Sequence, residues 1–265
     1  MLKKVFCTFL ALAIVLVFVS TSGAITYGQP DGTAHPYVGV VVFQAAGDTT
    51  SGWRCTGTLL SPTVLLTAGH CTAGAARAWV WFEAEAKDMV GYPFSGDLTA
   101  KEIHTHPRYD DFASFPATYD LGIVVLQKRV KVRAYGDLPE AGFLDALATR
   151  RGLQGVNFTV VGYGLQSVVP RVEAKVERYQ GTSQLVNLRS YLTDGYNLQT
   201  TNDPGKGTGS GGTCSGDSGG PIFYGTSNVV VAVNSFGLNA NCVGADFSFR
   251  TDRADSQRFI SNFLK

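Results

Sequence analysis

An all-β fold of sandwich or barrel architecture is what this sequence predicts, and three observations predict it. Short runs rich in branched aliphatic and aromatic residues recur along its 265 residues, turn clusters separate them, and 31 glycines punctuate the whole. In the first half such runs fall at 37–43, 58–60, 64–67, 78–82 and 121–126. In the second half they fall at 158–161, 172–179, 221–223, 229–233 and 247–249. Between the halves, residues 133–155 carry more Gly, Ala and charge and read as a connection. Residues 203–212 are dense in Gly, Ser, Pro and Asp and read as a loop. Residues 252–265 place Phe259, Ile260, Phe263 and Leu264 at the spacing of one helical face. No internal repeat is evident.

Apolar residues make up 45% of the chain and charged residues 16%, enough for a sizeable core and unlike a disordered segment. Residues 1–24 read as a secretory signal: Lys3 and Lys4, an apolar run at 5–19, then Ser20-Thr21-Ser22-Gly23-Ala24 as small residues for cleavage. That run is shorter than the roughly 20 residues a spanning helix needs. Without Lys3 and Lys4, the remaining 20 basic residues face 21 acidic ones. Such a balance argues against nucleic acid or an anionic membrane as partner. The expectation is an exported, monomeric protein.

Export permits disulfides. Cys7 lies in the signal, which leaves Cys55, Cys71, Cys214 and Cys242, and the sequence alone allows three pairings of these four. Proximity along the chain favours Cys55 with Cys71 and Cys214 with Cys242. A metal site would need clustered ligands, and no Cys-x-x-Cys pair occurs. His104 with His106 has no third ligand nearby in sequence. Neither a metal nor a cofactor is expected.

Three local patterns carry chemistry. Thr67-Ala68-Gly69-His70-Cys71 follows a predicted strand, Tyr119-Asp120-Leu121 opens an apolar one, and Gly216-Asp217-Ser218-Gly219-Gly220-Pro221 sets a serine in a turn. A serine hydroxyl is a weak nucleophile at neutral pH and needs a base to take its proton. Imidazole suits that task, with an unperturbed pKa of about 6.5. A buried carboxylate fixes its tautomer and stabilises the imidazolium. Glycines around the serine let backbone N–H groups, naturally those of Gly216 and Ser218, reach a developing oxyanion. Each pattern alone has an ordinary structural explanation. Their joint occurrence in the order His, Asp, Ser points to a nucleophilic hydrolase.

With these residues in view, the sequence resembles the chymotrypsin/trypsin family of serine proteases. Cys55-Thr56-Gly57-Thr58-Leu59-Leu60-Ser61-Pro62 and Val64-Leu65-Leu66-Thr67-Ala68-Gly69-His70-Cys71 resemble its first-barrel segment, with Gly69 where Ala is more usual. His106-Pro107-Arg108-Tyr109-Asp110 is similar to the loop before the catalytic Asp. Val161-Gly162-Tyr163-Gly164 resembles the opening of the second barrel, and Ser235-Phe236-Gly237 the strand that pairs with substrate backbone. The resemblance implies two six-stranded antiparallel barrels, about 25–135 and 136–253, with the active site in the cleft between them and a C-terminal helix at about 254–265. It implies His70, Asp120 and Ser218 as catalytic residues, with Ser235 supporting Asp120 and peptides or proteins as substrates. Cys55–Cys71 would hold the histidine loop and Cys214–Cys242 the specificity pocket.

By the same resemblance Gly212 stands at the floor of that pocket, Phe236 and Gly237 at its wall and mouth. A floor without a side chain implies apolar P1 residues, unless Asp246 supplies an acid from the wall. A new N-terminus at Ile25, left by cleavage after Ala24, would pair its ammonium with Asp217. The alternative function is a catalytically silent secreted homologue acting as a binding module.

Overall fold

The computed structural model describes residues 25–148, 155–202 and 211–264. The predicted signal, most of the predicted loop at 203–212, part of the connection at 133–155, and Lys265 lie outside the described residues. Strands whose two faces both need covering meet that need by curling into barrels, and the chain does so twice.

The first part of the chain forms β1 (Gln29–Pro30), β2 (Val38–Ala45), β3 (Trp53–Leu59), β4 (Val64–Thr67), β5 (Ala75–Trp81), β6 (Ala100–Thr105) and β7 (Gly122–Leu126), with a single turn, α1 (Gly69–Thr72), after β4. After α2 (Asp145–Ala148) come β8 (Asn157–Gly162), β9 (Tyr179–Asn187), β10 (Asn197–Asn202), β11 (Pro221–Tyr224), β12 (Val230–Gly237), β13 (Gly244–Arg250) and α3 (Ala254–Ser261). The first barrel runs β5-β2-β3-β4-β7-β6, all antiparallel. A bridge between Trp79 and Thr99, beside the Val80 N–H donating to the Leu98 carbonyl at 2.9 Å, nearly closes it. The second barrel is closed, because β8 pairs with both β9 and β11 around β10, β13 and β12. Two six-stranded antiparallel barrels are therefore present, as the resemblance implies.

The first barrel is filled by Val41, Phe43, Leu59, Leu65 and Val124, the second by Phe158, Val160, Leu198, Ile222 and Val231. Val161, Phe223, Val233 and Phe249 of the second barrel join the first core and make the seam apolar. The C-terminal helix forms where the periodicity predicts one; its Phe259 packs on His106, and Phe263 just beyond it packs on His104 of β6.

Three features differ from the sequence reading. The run at 172–179 is not a strand: Val172 is exposed, and the Gln166 side chain ties the loop by accepting from the Lys175 N–H and donating to its carbonyl, both at 2.6 Å. Apart from isolated bridges at Glu173 and Glu177, strand pairing begins at Tyr179. Strands β6 and β10 escape the apolar pattern because their compositions, AKEIHT and NLQTTN, are largely polar. Finally, β1 pairs with β9, so the N-terminal segment adds to the second barrel although it precedes the first.

That segment is fastened by Arg178, whose side chain is 2% exposed. Its Nε donates to Asp31 at 2.7 Å, Nη1 to the carbonyls of Val38 and Phe82 and to the Tyr163 hydroxyl, and Nη2 to the Gly32 carbonyl. One cation thus joins the N-terminal segment and both barrels. Asp31 also accepts from the His35 N–H and lies 2.5 Å from its Nδ1. Removing one partner of a buried pair strands the other charge, at a cost of about 3–5 kcal/mol. Arg178→Ala, made with Ser218→Ala to prevent self-digestion, should lose stability on that scale in urea unfolding followed by tryptophan fluorescence. An unchanged midpoint would mean that His35 alone satisfies Asp31.

Candidate active site

The site is built on Asp120, which is fully buried immediately before β7. One carboxylate oxygen accepts the backbone N–H of His70 at 2.7 Å, and the other lies 2.8 Å from His70 Nδ1 and accepts the Ser235 hydroxyl. His70 sits in α1, directly after β4, and the Cys55–Cys71 disulfide anchors that turn to β3. The Trp53 indole, also on β3, donates to the Cys71 carbonyl at 2.8 Å. Burial pulls the His70 pKa down, but the Asp120 charge and hydrogen bond, with Asp111 adding, leave it raised above 6.5.

Ser218 lies in the turn that leads into β11. Gly216 there has φ +99°, a left-handed conformation that suits glycine. The Thr56 N–H donates to the Ser218 carbonyl at 2.8 Å and the Thr56 hydroxyl to the Gly216 carbonyl at 2.9 Å, so β3 of the first barrel holds the turn. The Gly219 N–H donates to the Asn234 carbonyl at 2.8 Å. Among the described residues the N–H groups of Gly216 and Ser218 have no acceptor, and no hydrogen bond joins His70 Nε2 to the Ser218 hydroxyl. His70, Asp120 and Ser235 are in direct contact, and the Ser218 turn is held beside them by Thr56 of the first barrel and by the Asn234 carbonyl, one residue before Ser235.

Asp217 points inward and is fully enclosed, accepting the N–H groups of Gly164 at 2.7 Å and Cys214 at 2.9 Å. A Cβ on Gly162 would stand 2.1 Å, and one on Gly164 2.4 Å, from its carboxylate oxygens, which explains both glycines of Val161-Gly162-Tyr163-Gly164. Burial pushes the Asp217 pKa up to about 7, against the pull of those two N–H bonds and of Arg54. Ile25 is buried in the second core, and Thr26 bridges to Gly212. No hydrogen bond or ion pair joins Ile25 to Asp217 among the described residues.

Beside Ser218 opens a pocket of about 430 Å³ whose lining includes Thr213, Ser215, Phe236, Gly237, Cys242 and Asp246. Asp246 is 4% exposed; one oxygen accepts the Thr213 N–H and hydroxyl, both at 2.8 Å, and the other the Asn202 amide at 2.7 Å. Its pKa is pushed up to about 6 by burial, against those hydrogen bonds. Gly212 does not line this pocket. It is buried against Asn202, whose Oδ1 would be 1.7 Å from a Cβ there. The pocket's acid therefore comes from β13, while Gly212 serves close packing. Asn202 and Thr213, which hold Asp246, went unnoticed in the sequence because the first lies in a polar strand and the second beside a cysteine.

A family model described as Trypsin matches residues 29–255. The chain belongs to the trypsin family. Serine protease 1 of Drosophila melanogaster is 27% identical over 225 residues, covering 83% of this chain and 78% of that protein. Chymotrypsin-C of Bos taurus is 27% identical over 258 residues, with 90% and 89% covered, and brachyurin of Leptuca pugilator 27% identical over 202 residues, with 71% and 77% covered. The solved structure titled HL collagenase superposes with a TM-score of 0.69 at 19% identity, covering 91% of this chain and 99% of that one, which is a likeness of fold.

In this trypsin-family chain the four cysteines form Cys55–Cys71 and Cys214–Cys242. The second bond clamps the pocket wall to the Ser218 turn. In the chain-entropy view, closing a loop of such lengths contributes roughly 3 kcal/mol. Cys55, Cys71 and His70 lie close enough to suggest a metal site, but both sulfurs are spent in the disulfide. His104 lies 3.0 Å from Glu102, while His106 is buried, stacked on Tyr119 and packed on Phe259, so the two do not act together. The charge of Asp120 raises the His70 pKa, so Asp120→Asn should lower it. NMR titration of the His70 ring in a Ser218→Ala background reads this directly, and an unmoved midpoint would remove Asp120 from the site.

Proposed function

We propose that this chain is a secreted serine endopeptidase in which Ser218, His70 and Asp120 form the catalytic triad. The observation that carries this reading is the double grip of Asp120 on His70. With its Nδ1 side held by the carboxylate, the ring keeps its proton there and offers Nε2 as base. As the Ser218 oxygen attacks the scissile carbonyl carbon, Nε2 takes its proton. The carbonyl oxygen becomes an oxyanion, for which the N–H groups of Gly216 and Ser218, both without internal acceptors, are the donors. Losing one such donor typically costs about 3 kcal/mol of transition-state stabilisation. The imidazolium then protonates the departing amine, leaving an acyl ester on Ser218. A water, giving its proton to the same Nε2, attacks the acyl carbon; the ester bond to Ser218 breaks, the imidazolium returns its proton to the Ser218 oxygen, and the acid is released. The two disulfides support an extracellular setting.

A fluorophosphonate probe should label Ser218, and Ser218→Ala should abolish both labelling and hydrolysis, lowering kcat by about 10⁶-fold. A folded protein that resists the probe would be the silent binding homologue.

Substrate backbone would pair along the Ser235-Phe236-Gly237 end of β12, leaving the P1 side chain in the pocket. The placement of Asp246 favours a basic P1 residue over the apolar one that Gly212 alone implies. Burial makes that acid titrate near pH 6, so the pocket is neutral below and anionic above. The ratio of kcat/KM for Lys over Leu at P1 should therefore rise as pH increases through about 6. The His70 titration cancels in this ratio. Asp246→Asn should flatten it, and a ratio independent of pH in the wild type would reject the role.

For activation, the reading is that cleavage after Ala24 frees an Ile25 ammonium to pair with Asp217. Two N–H donors are scant compensation for a fully buried carboxylate, and an inserted cation would supply the rest. N-terminal sequencing of active protein should then give Ile25 first, and acetylating that amine should abolish activity. An active form beginning elsewhere ends this part of the proposal.

A further inference from the structure

Between the barrels the chain reads Gln127-Lys128-Arg129-Val130-Lys131-Val132-Arg133, with four cations in seven positions. Val130 and Val132 are partly buried and pack on the first core, while Lys128, Arg129, Lys131 and Arg133 are exposed. With the two valines turned inward, Arg129, Lys131 and Arg133 are left on the outer side of the segment, which bends at Arg133. The segment is pinned on both flanks. The Val130 N–H donates to the Pro62 carbonyl at 2.8 Å, the Tyr135 hydroxyl to the Val130 carbonyl at 2.8 Å, and Arg133 Nη2 to the Thr33 carbonyl at 3.0 Å.

Lys87 pairs with Glu85 and Lys101 with Glu102, while other exposed cations without a carboxylate partner, such as Arg77, Arg108, Arg189 and Arg258, are scattered singly along the chain. Among the described residues none of the four cations in this row has a carboxylate within 4.0 Å. Lys131 and Arg133 also stand on the lip of an open cleft of about 700 Å³, whose walls include Pro36, Phe82 and Val132 and no acidic residue. The Arg178 guanidinium at its back is already paired with Asp31. This cleft shares no lining residue with the pocket beside Ser218.

We propose that the row and its cleft bind a sulfated polysaccharide. Clustered cations held by a pinned backbone displace the counterions condensed on a linear polyanion, which is where the affinity for such chains arises. The C–H faces of sugar rings pack against an aromatic and aliphatic wall such as Phe82 with Pro36. A single-stranded nucleic acid fits less well, because no exposed aromatic residue is interleaved with the cations to stack on bases. The two disulfides also suit an oxidising compartment, where sulfated glycans occur. The site would tether the enzyme to a sulfated matrix while leaving its catalytic cleft open.

The test uses the full protein carrying Ser218→Ala, with heparin as the probe and binding followed across a salt series. Wild-type surface should bind at 50 mM salt and release as salt rises. The triple variant Lys128→Gln, Arg129→Gln, Lys131→Gln spares the Arg133–Thr33 bond and should bind more than tenfold more weakly. Its plot of log affinity against log salt should flatten by about 2 units. Lys87→Gln, which removes a paired cation elsewhere, should bind as wild type does, and equal melting temperatures confirm folding throughout. No binding of heparin beyond that of neutral dextran, or a triple variant that binds unchanged, overturns the proposal. Equal or tighter binding of a single-stranded oligonucleotide of matched charge overturns it too, in favour of a nucleic-acid site.

Discussion

A carboxylate with no exposure to water must be satisfied by the protein, and Asp120 is satisfied from both sides of a seam. Its donors come from α1, which follows a first-barrel strand, and from Ser235 on a second-barrel strand. Because a closed or nearly closed barrel offers little free strand edge, side chains from the two barrels meet only where their outer faces abut. Asp120 therefore fixes more than one imidazole. It couples the geometry of the histidine turn to the position of β12, along which substrate is proposed to lie, so any slip of one barrel past the other costs hydrogen bonds to a buried charge. Arg178 performs the reciprocal task at another point of the seam, where a second-barrel cation gathers carbonyls of the first.

How much of this was legible in the sequence depended on whether the signal was local. The Gly216-Asp217-Ser218-Gly219-Gly220 turn and the Ala68-Gly69-His70-Cys71 turn are short patterns whose chemistry is contained in the residues themselves, and the second sets His70 against Asp120. Val38, Val41 and Phe43 betrayed β2 by their branched and aromatic composition. By contrast, β10 buries Asn197, Thr200 and Asn202, so a search for apolar alternation passes it by. Asn202 donates to Asp246 and to the Thr213 carbonyl, and Asn197 to the Pro116 carbonyl, while the buried Thr200 hydroxyl has no hydrogen-bond partner among the described residues. The run at 172–179 failed in the opposite way: valines suggested a strand, but a glutamine side chain closed the loop first.

The pocket illustrates a further limit of counting along a chain. Gly212 stands six residues before Ser218, and the floor was assigned to it by that interval. The glycine is needed instead because Asn202 occupies the space a side chain would fill. The acid arrives from β13, where Gly237 and Asp246 are cross-strand partners. A β-pairing that is obvious in three dimensions is silent in sequence, since the residues are brought together by register and not by spacing.

Asp217 and Asp246 are not independent. Both are buried, each is pushed toward its neutral form by burial, and the charge of Asp246 raises the pKa of Asp217 further. The peptide between them is short: Thr213 donates twice to Asp246, and the N–H of the next residue, Cys214, donates to Asp217. Ionising either acid therefore tightens its hold on one end of the same strand of backbone while making ionisation of the other less favourable. A cation brought to either acid relieves that conflict at both. A basic P1 side chain approaching Asp246 and an ammonium approaching Asp217 would each lower the cost of charging its own partner and leave the oxyanion turn between them better fixed. On the proposed reading, specificity and activation are linked through two adjacent residues of backbone, Thr213 and Cys214.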